Sequence, residues 1–382
     1  MIRIIYSGAQ VFDGATLHKD AVLVIEDGAM AAILPTSDAP SGEVVVLDGG
    51  VLTPGFVDLQ ANGGGGVMFN DETSVDGLRV IAAAHAATGT RAFLPTLITD
   101  TPNRTRAAID AVVAAIADGV PGIAGLHLEG PHLAVAQKGA HDADLIRPMT
   151  DQDVAVLEDA AHRLPLLKVT VAPESTRPAQ IARLARAGVL ISLGHSDCSY
   201  DTALVAFAAG ARCVTHLFNA MSPLRHRAPG LVGAALDTCG ISAGIIADGV
   251  HVHPAAIRAA VAAKRGSERL FLVTDAMASL ASELQEFRLG GRRILRGEGR
   301  LTLEDGTLAG ADLTMPQAIQ VLTQEVGVPL AQALSMATTI PARLLSGFPA
   351  TASGFRAPFI YLAENGGVSS PEETAGMVDP SF

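Results

Sequence analysis

The sequence predicts an α/β protein, a (β/α)8 or TIM barrel carrying a small accessory β domain, and three observations lead there. Eight short apolar runs alternate with helical stretches between Phe56 and Thr274. Four of those runs end in a carboxylate or an imidazole, as strands do when they feed the single functional rim of a barrel. The chain has 382 residues, 49% of them hydrophobic, enough for one large barrel and a modest second unit.

The elements follow in order. Residues 3–6, 21–26 and 44–47 read as short strands, punctuated by the turn pairs Asp13-Gly14 and Asp27-Gly28. After Pro54-Gly55 the rhythm changes to strand, loop, helix. Barrel strands are expected at 56–60, 91–97, 123–129, 167–172, 189–194, 212–216, 242–247 and 269–274. Helices are expected between them at 75–88, 102–118, 151–161, 177–187, 199–209 and 254–264. Gly290-Gly291, Gly297-Glu298-Gly299 and Asp305-Gly306 mark a hairpin inserted at 289–308, and helical segments 313–325 and 329–345 complete the last unit. The tail after Gly347 is rich in Gly, Ser, Pro and Glu and offers one strand, 359–362. The expected division is a catalytic barrel at 51–347 and a small β-sandwich from 1–50 plus 348–382, its C-terminal part atypical.

Composition narrows the function. A net charge of -12 argues against nucleic acid or anionic lipid as a general partner. Cys198, Cys213 and Cys239 show no paired or CxxC spacing, which suits a reduced, cytoplasmic setting. The N-terminus lacks the pattern of a signal peptide. No run approaches the ~20 apolar residues that cross a bilayer. A soluble cytoplasmic protein is expected.

The chemistry gathers at the strand ends. His127-Leu128-Glu129-Gly130-Pro131-His132 closes the third expected strand, while His195 and His216 close the fifth and sixth. A single strand-end histidine more often hydrogen-bonds a loop than binds a metal. Glu129, His195 and His216 sit at equivalent ends of separate strands, and so can converge on one ion while leaving a position for water, as in a catalytic zinc site. Asp275 closes the eighth strand, where a carboxylate serves equally as a helix cap or as a proton acceptor beside metal-bound water. Arg225, His226, Arg227 and His251 are the basic residues of the loops after the sixth and seventh strands, suited to a phosphate or carboxylate. His132 and His141 flank the Glu129 loop within reach of a substrate carbonyl, whereas His253 directly precedes a helix and reads as structural. The glycine run at 63–66 most simply permits a tight turn.

Together these segments resemble the amidohydrolase superfamily and, within it, the N-acetylglucosamine-6-phosphate deacetylases. The matching stretches are Pro54-Gly55-Phe56-Val57-Asp58-Leu59-Gln60, 127–132, Gly194-His195-Ser196, Thr215-His216-Leu217-Phe218-Asn219-Ala220-Met221, 227–233, 247–251, Thr274-Asp275-Ala276 and 308–315. The resemblance implies hydrolysis of the acetamide of N-acetylglucosamine 6-phosphate to glucosamine 6-phosphate and acetate. It implies Glu129, His195 and His216 as ligands of one divalent ion per chain, zinc being expected, and Asp275 as acid and base. It further implies that His141 polarises the carbonyl, that Asn219, the Ala220 backbone and His251 hold the sugar and phosphate, and that Leu308, Ala309 and Gly310 lie beside the sugar. Arg227 would bind the phosphate across a homodimer interface.

Two departures bear on the expectation. Gln60 and Asn62 stand where many amidohydrolases carry the His-x-His of a second metal, and neutral amides bind divalent ions poorly; a one-metal site is expected. The family's usual Gly-x-Ile-x-x-Gly-x-x-Ala-Asp-type closing segment is not found in 348–382, which predicts a weakened accessory domain and an intact site. The alternatives are a deacetylase of N-acetylgalactosamine 6-phosphate, another amidohydrolase such as a cyclic amidase, and an inactive barrel that serves as a binding protein. The joint presence of Glu129, His195, His216 and Asp275 speaks against the last.

Overall fold

The structure, a computed structural model, describes residues 2–27, 29–266, 269–346 and 358–371. Its centre is one sheet of eight parallel strands in sequence order. These are β1 (Phe56–Ala61), β2 (Thr90–Ile98), β3 (Leu126–Glu129), β4 (Leu167–Val171), β5 (Leu190–Leu193), β6 (Cys213–Val214), β7 (Ser242–Ile245) and β8 (Leu270–Leu272). Just beyond β8 the ring closes, where the Asp275 N–H donates to the Gln60 carbonyl at 3.0 Å and Ala61 bridges Ala276. Every residue of β3, β4 and β5 is buried, because one face fills the barrel and the other lies under helices. All eight expected strands are present, several of them shorter than the apolar run suggests.

The helices α1 (Val75–Ala87), α2 (Pro102–Ala117), α3 (Asp151–Arg163), α4 (Pro178–Arg186), α5 (Tyr200–Ala209), α6 (Gly230–Asp237) and α7 (Pro254–Ala263) alternate with the strands. Ser74, Thr101, Thr150 and Ser199 cap four of them by accepting a backbone N–H three residues on, each contributing about 1 kcal/mol. Helix α6 was not expected from the sequence. Its residues from Gly230 to Leu236 are all buried, so it carries no alternation of apolar and polar faces to announce a helix. The last unit comprises α8 (Met315–Gln320), a π-helical continuation at Val321–Val326, α9 (Leu330–Ala337) and α10 (Thr339–Ser346). The expected single helix at 329–345 is thus broken at Thr338.

Two further layers frame the barrel. The insertion after β8 is a three-stranded antiparallel sheet, Glu286–Leu289, Arg292–Gly297 and Arg300–Leu303. Its apolar residues Leu289, Ile294 and Leu301 pack with Met68, Ile98 and Met277. The accessory β region has two sheets. One orders Ala29–Pro35, Ala21–Glu26, Arg3–Ser7 and Glu43–Val46; the other includes Gln10–Phe12, Val51–Pro54 and Phe359–Leu362. Tyr6 and Leu23 from the first share an apolar cluster with Val11, Leu52 and Tyr361 from the second, the pairing of a sandwich. The strand expected at 359–362 is there, antiparallel to Val51–Pro54; of the expected C-terminal part, only 358–371 falls within the described residues.

Candidate active site

Glu129 ends β3, and His195 and His216 follow β5 and β6, so three parallel strands of one sheet deliver their terminal side chains to one rim. His195 Nε2 lies 3.3 Å from Glu129 Oε1, His216 Nε2 lies 3.1 Å from the same oxygen, and the two Nε2 atoms are 3.0 Å apart. All three side chains are buried. His195 Nδ1 sits 2.8 Å from the Gln137 carbonyl, which can only accept, so Nδ1 carries the proton and Nε2 presents its lone pair. Burial opposes ionisation of Glu129, yet His195 and His216 outweigh it and hold the carboxyl well below the usual range. Burial also disfavours a charged His216, but the neighbouring Glu129 reverses that and raises its pKa. Two imidazole nitrogens and a carboxylate oxygen meet within 3.3 Å of one another, and a divalent cation fits this donor set.

His141 joins Glu129 and His195 in the same cluster, but its chemistry differs. Its Nε2 is 3.9 Å from Glu129 Oε2, farther than the corresponding atoms of His195 and His216. The Thr99 backbone N–H donates to His141 Nδ1 at 3.3 Å. Since an N–H cannot accept, Nδ1 is the accepting nitrogen and Nε2 keeps the proton. Burial and the neighbouring His195 push its pKa well down, so His141 is neutral.

Asp275 stands opposite. Its Oδ1 accepts from the amides of Gln60 at 2.9 Å and Asn62 at 2.7 Å, the two residues expected at the positions of a second-metal His-x-His. Gln60 Nε2 also lies 3.3 Å from Glu129 Oε1. Burial and the Glu129 charge raise the pKa of Asp275, with His216 and the Asn62 bond opposing. The residues at these loop starts are strained: His195, His216, Ala220 and Asp275 all have positive φ, between 29° and 52°. Non-glycine residues held there cost on the order of 1–3 kcal/mol each and cluster at functional sites.

Asn62, Glu129, His141, His195, His216 and Asp275 line a cavity of about 250 Å3 together with Asn219, Ala220, His251, Leu308 and Gly310. His251 Nδ1 is 2.6 Å from Asp248 Oδ2, and Asp248 also accepts from the Val250 and His251 N–H groups, which fixes the ring. Gly310 has φ +61, and a Cβ there would lie 2.6 Å from Met277 Sδ and 3.0 Å from the Asp275 carbonyl, so only glycine lets this loop approach. Ala309 does not line the cavity; it is buried in the cluster beneath the insertion. Arg225, His226 and Arg227 are exposed on their loop and are not among the lining residues. His132 is also elsewhere, bonded through Nδ1 to the Arg147 carbonyl. It borders a slightly larger cavity of about 280 Å3, where Arg147 and Asp153 satisfy each other in a bidentate pair. His253 caps α7, accepting from the Ala255 N–H, as expected of a structural histidine. Sequence reasoning missed Thr99, Gln137 and Asp248, the partners that set the imidazole orientations. Of these only Asp248 left a signal, three residues before His251.

A model of the amidohydrolase family matches residues 51–349. The N-acetylgalactosamine-6-phosphate deacetylase of Shewanella sp. (strain ANA-3) is 41% identical over 350 residues, 90% of this chain and 87% of that protein. The N-acetylglucosamine-6-phosphate deacetylase of Haemophilus influenzae is 36% identical over 331 residues, 86% of each. Among solved structures, N-acetylglucosamine-6-phosphate deacetylase from Pasteurella multocida superposes with a TM-score of 0.88 at 34% identity, covering 96% of this chain and 97% of that one. A mutant of the Mycobacterium smegmatis enzyme, in complex with N-acetyl-D-glucosamine-6-phosphate, gives 0.87 at 32%, with the same coverage.

Proposed function

The chain belongs to the amidohydrolase family, and from that premise we propose that it hydrolyses the acetamide of N-acetylglucosamine 6-phosphate to glucosamine 6-phosphate and acetate. The observation that carries the proposal is the convergence of Glu129, His195 and His216 within 3.3 Å of one another, opposite a carboxylate oriented by two amides. Those three residues would hold one divalent ion, zinc by the nitrogen and oxygen character of the donors. Such an ion supplies Lewis-acid activation of a water molecule. Asp275 accepts the proton of the attacking water. As the C–N bond breaks, it returns that proton to the departing amine nitrogen. His141, neutral with its proton on Nε2, donates to the acetamide carbonyl as negative charge develops there. Asn219, the Ala220 backbone and His251 hold the sugar and its phosphate, with Leu308, Ala309 and Gly310 forming the adjoining loop.

Phosphate recognition also involves a second copy of the chain. No Arg or Lys lines the cavity among the described residues, while Arg227 stands exposed on the loop after β6. We propose a homodimer in which Arg227 serves the partner's site, in a cytoplasmic enzyme whose catalytic barrel is 51–347 and whose accessory domain is 1–50 with 348–382. A second reading, the galacto epimer of the substrate, is favoured by the 41% identity to a protein named for that activity. The deciding experiment is acetate release from both phosphosugars and from unphosphorylated N-acetylglucosamine, with elemental analysis of the purified chain. The proposal expects about one zinc per chain and a strong preference for the phosphorylated gluco sugar. Higher kcat/KM on the galacto sugar would select the second reading, and no acetate from any of them would sink both.

A further inference from the structure

His127 opens the run that leads to Glu129, yet the chemistry above makes no use of it. It is fully buried inside the barrel. Its Nδ1 lies 3.1 Å from Thr96 Oγ1 and its Nε2 lies 2.7 Å from Thr170 Oγ1. Thr170 Oγ1 is 2.7 Å from Thr215 Oγ1, which is 2.6 Å from Ser192 Oγ. Five strands or strand ends, from β2 to β6, are therefore joined by one row of side-chain hydrogen bonds. Gly194 makes the close meeting possible, since a Cβ there would lie 2.9 Å from Thr170 Cγ2 and 3.0 Å from Thr215 Cβ.

The direction of the row follows from its fixed end. Thr96 Oγ1 accepts the Ala61 N–H at 3.0 Å and donates its single proton to the Leu94 carbonyl at 3.1 Å. The proton between Thr96 and His127 must then belong to His127 Nδ1, which leaves Nε2 as an acceptor. Thr170 donates to that nitrogen, Thr215 donates to Thr170, and Ser192 donates to Thr215. Lys168 is also buried, with Nζ 3.2 Å from the Leu59 carbonyl of β1.

Several members of the row adjoin the site. Ala61 lies between Gln60 and Asn62, whose amides hold Asp275. Thr215 directly precedes His216, and His127 precedes Glu129 by two residues on the same strand. We propose that His127 is a positioning residue: its row of hydrogen bonds locks the strand ends bearing Glu129 and His216 to the strand end bearing Gln60 and Asn62. Metal ligands and proton-carrying carboxylate thereby keep one spacing. The inference rests on the metal reading of the site. A polar floor that only selected the strand order would support folding without setting ligand geometry.

Thr170→Val removes the hydroxyl that links His127 to Thr215 and changes little else. Thr90→Val is the control, because Thr90 is buried in β2 and its hydroxyl has no hydrogen-bond partner among the described residues. The zinc affinity of the chelator-stripped, full-length proteins is measured at 25 °C by competition with a chromophoric chelator, alongside thermal midpoints and kcat and KM at saturating zinc. Loss of an outer partner of a metal site typically weakens binding 10–100-fold. A loss of about that size is expected for Thr170→Val against Thr90→Val, with a lower kcat and an unchanged KM. A fallen thermal midpoint with zinc affinity and kcat equal to the control would overturn the inference and leave the row a folding device. If Thr170→Val does not fold, His127→Gln decides on the same readouts. Wild-type protein that binds no zinc would instead overturn the metal reading before any variant is compared.

Discussion

Asp275 is held by one oxygen, and among the described residues no hydrogen bond reaches the other. Gln60 and Asn62 both donate to Oδ1, so the second oxygen keeps its lone pairs for a water proton, and burial beside Glu129 raises the affinity for that proton. This combination suits a group that must take a proton and give it back. Asp275→Asn keeps the size and the polar contacts but cannot carry the proton, so zinc content should persist while kcat falls roughly 10²–10⁴-fold. His195→Ala should lose zinc and activity together. Metal analysis beside steady-state kinetics distinguishes the two, and an Asp275→Asn protein with near-normal kcat would move the proton to His141. Glu129, His195, His216 and Asp275 were legible in the sequence because strand ends of a barrel share a rim, so position alone told which side chains could meet. The roles of Gln60 and Asn62 were only half legible. The sequence excludes them as good ligands, but their bonds to Asp275 span 215 and 213 residues and leave no local pattern.

The barrel closes at a seam that holds a buried carboxylate. Asp58 of β1 is fully buried, accepts the Thr274 hydroxyl beyond β8, and receives the Gln60 and Thr274 N–H groups. Burial still dominates and raises its pKa from 3.8 to about 7, against those bonds. A carboxylate raised on folding holds its proton in the native state while the unfolded chain has already lost it. Its contribution to stability therefore falls as pH rises from about 4 to about 7. At 1.36 kcal/mol per unit, a shift of this size costs about 4 kcal/mol at most above that window. Asp58→Asn removes the titration, so the variant should gain on wild type between pH 5 and pH 8 in paired thermal or urea melts. A stability difference that stays constant over that range would show that Asp58 ionises as an exposed carboxyl does. At this scale the sequence was readable wherever an element is half exposed or uniformly apolar: the barrel strands, the amphipathic helices and the glycine-marked insertion. It was silent on α6, buried from Gly230 to Leu236, and on the break at Thr338, whose hydroxyl bonds back to the Leu334 carbonyl. Burial erases periodicity in the first, and at the second the adjoining Thr339 hydroxyl donates to the distant Gly14 carbonyl, a tertiary contact that helix propensity does not reveal.

An acidic enzyme needs local positive charge to hold an anionic substrate, and in a single chain the cavity is lined by imidazoles and no guanidinium among the described residues. Arg227 lies on a loop that begins beside the His216 end of the barrel, close in sequence to the cavity-lining Asn219 and Ala220, and is exposed there. In a two-fold dimer the interface is used twice, so an Arg227 that reaches the partner's site in one direction does so in the other as well. The claim that Arg227 acts across that interface can be separated from a role in its own chain by mixing two inactive variants. Arg227→Ala supplies intact Asp275 but no phosphate ligand for its neighbour, and Asp275→Asn supplies Arg227 but no proton carrier. In a hybrid dimer, one site combines the intact Asp275 of the first chain with the intact Arg227 of the second, and the other site lacks both. Random reassociation at equal amounts makes half the dimers hybrid, so activity should recover to about a quarter of wild type if chains pair without bias. If Arg227 serves its own chain, every site in every mixture lacks one of the two groups and no activity returns. Measuring deacetylation of the phosphosugar before and after unfolding and refolding the two variants together reads the difference directly, with size-exclusion chromatography confirming that the refolded material is dimeric.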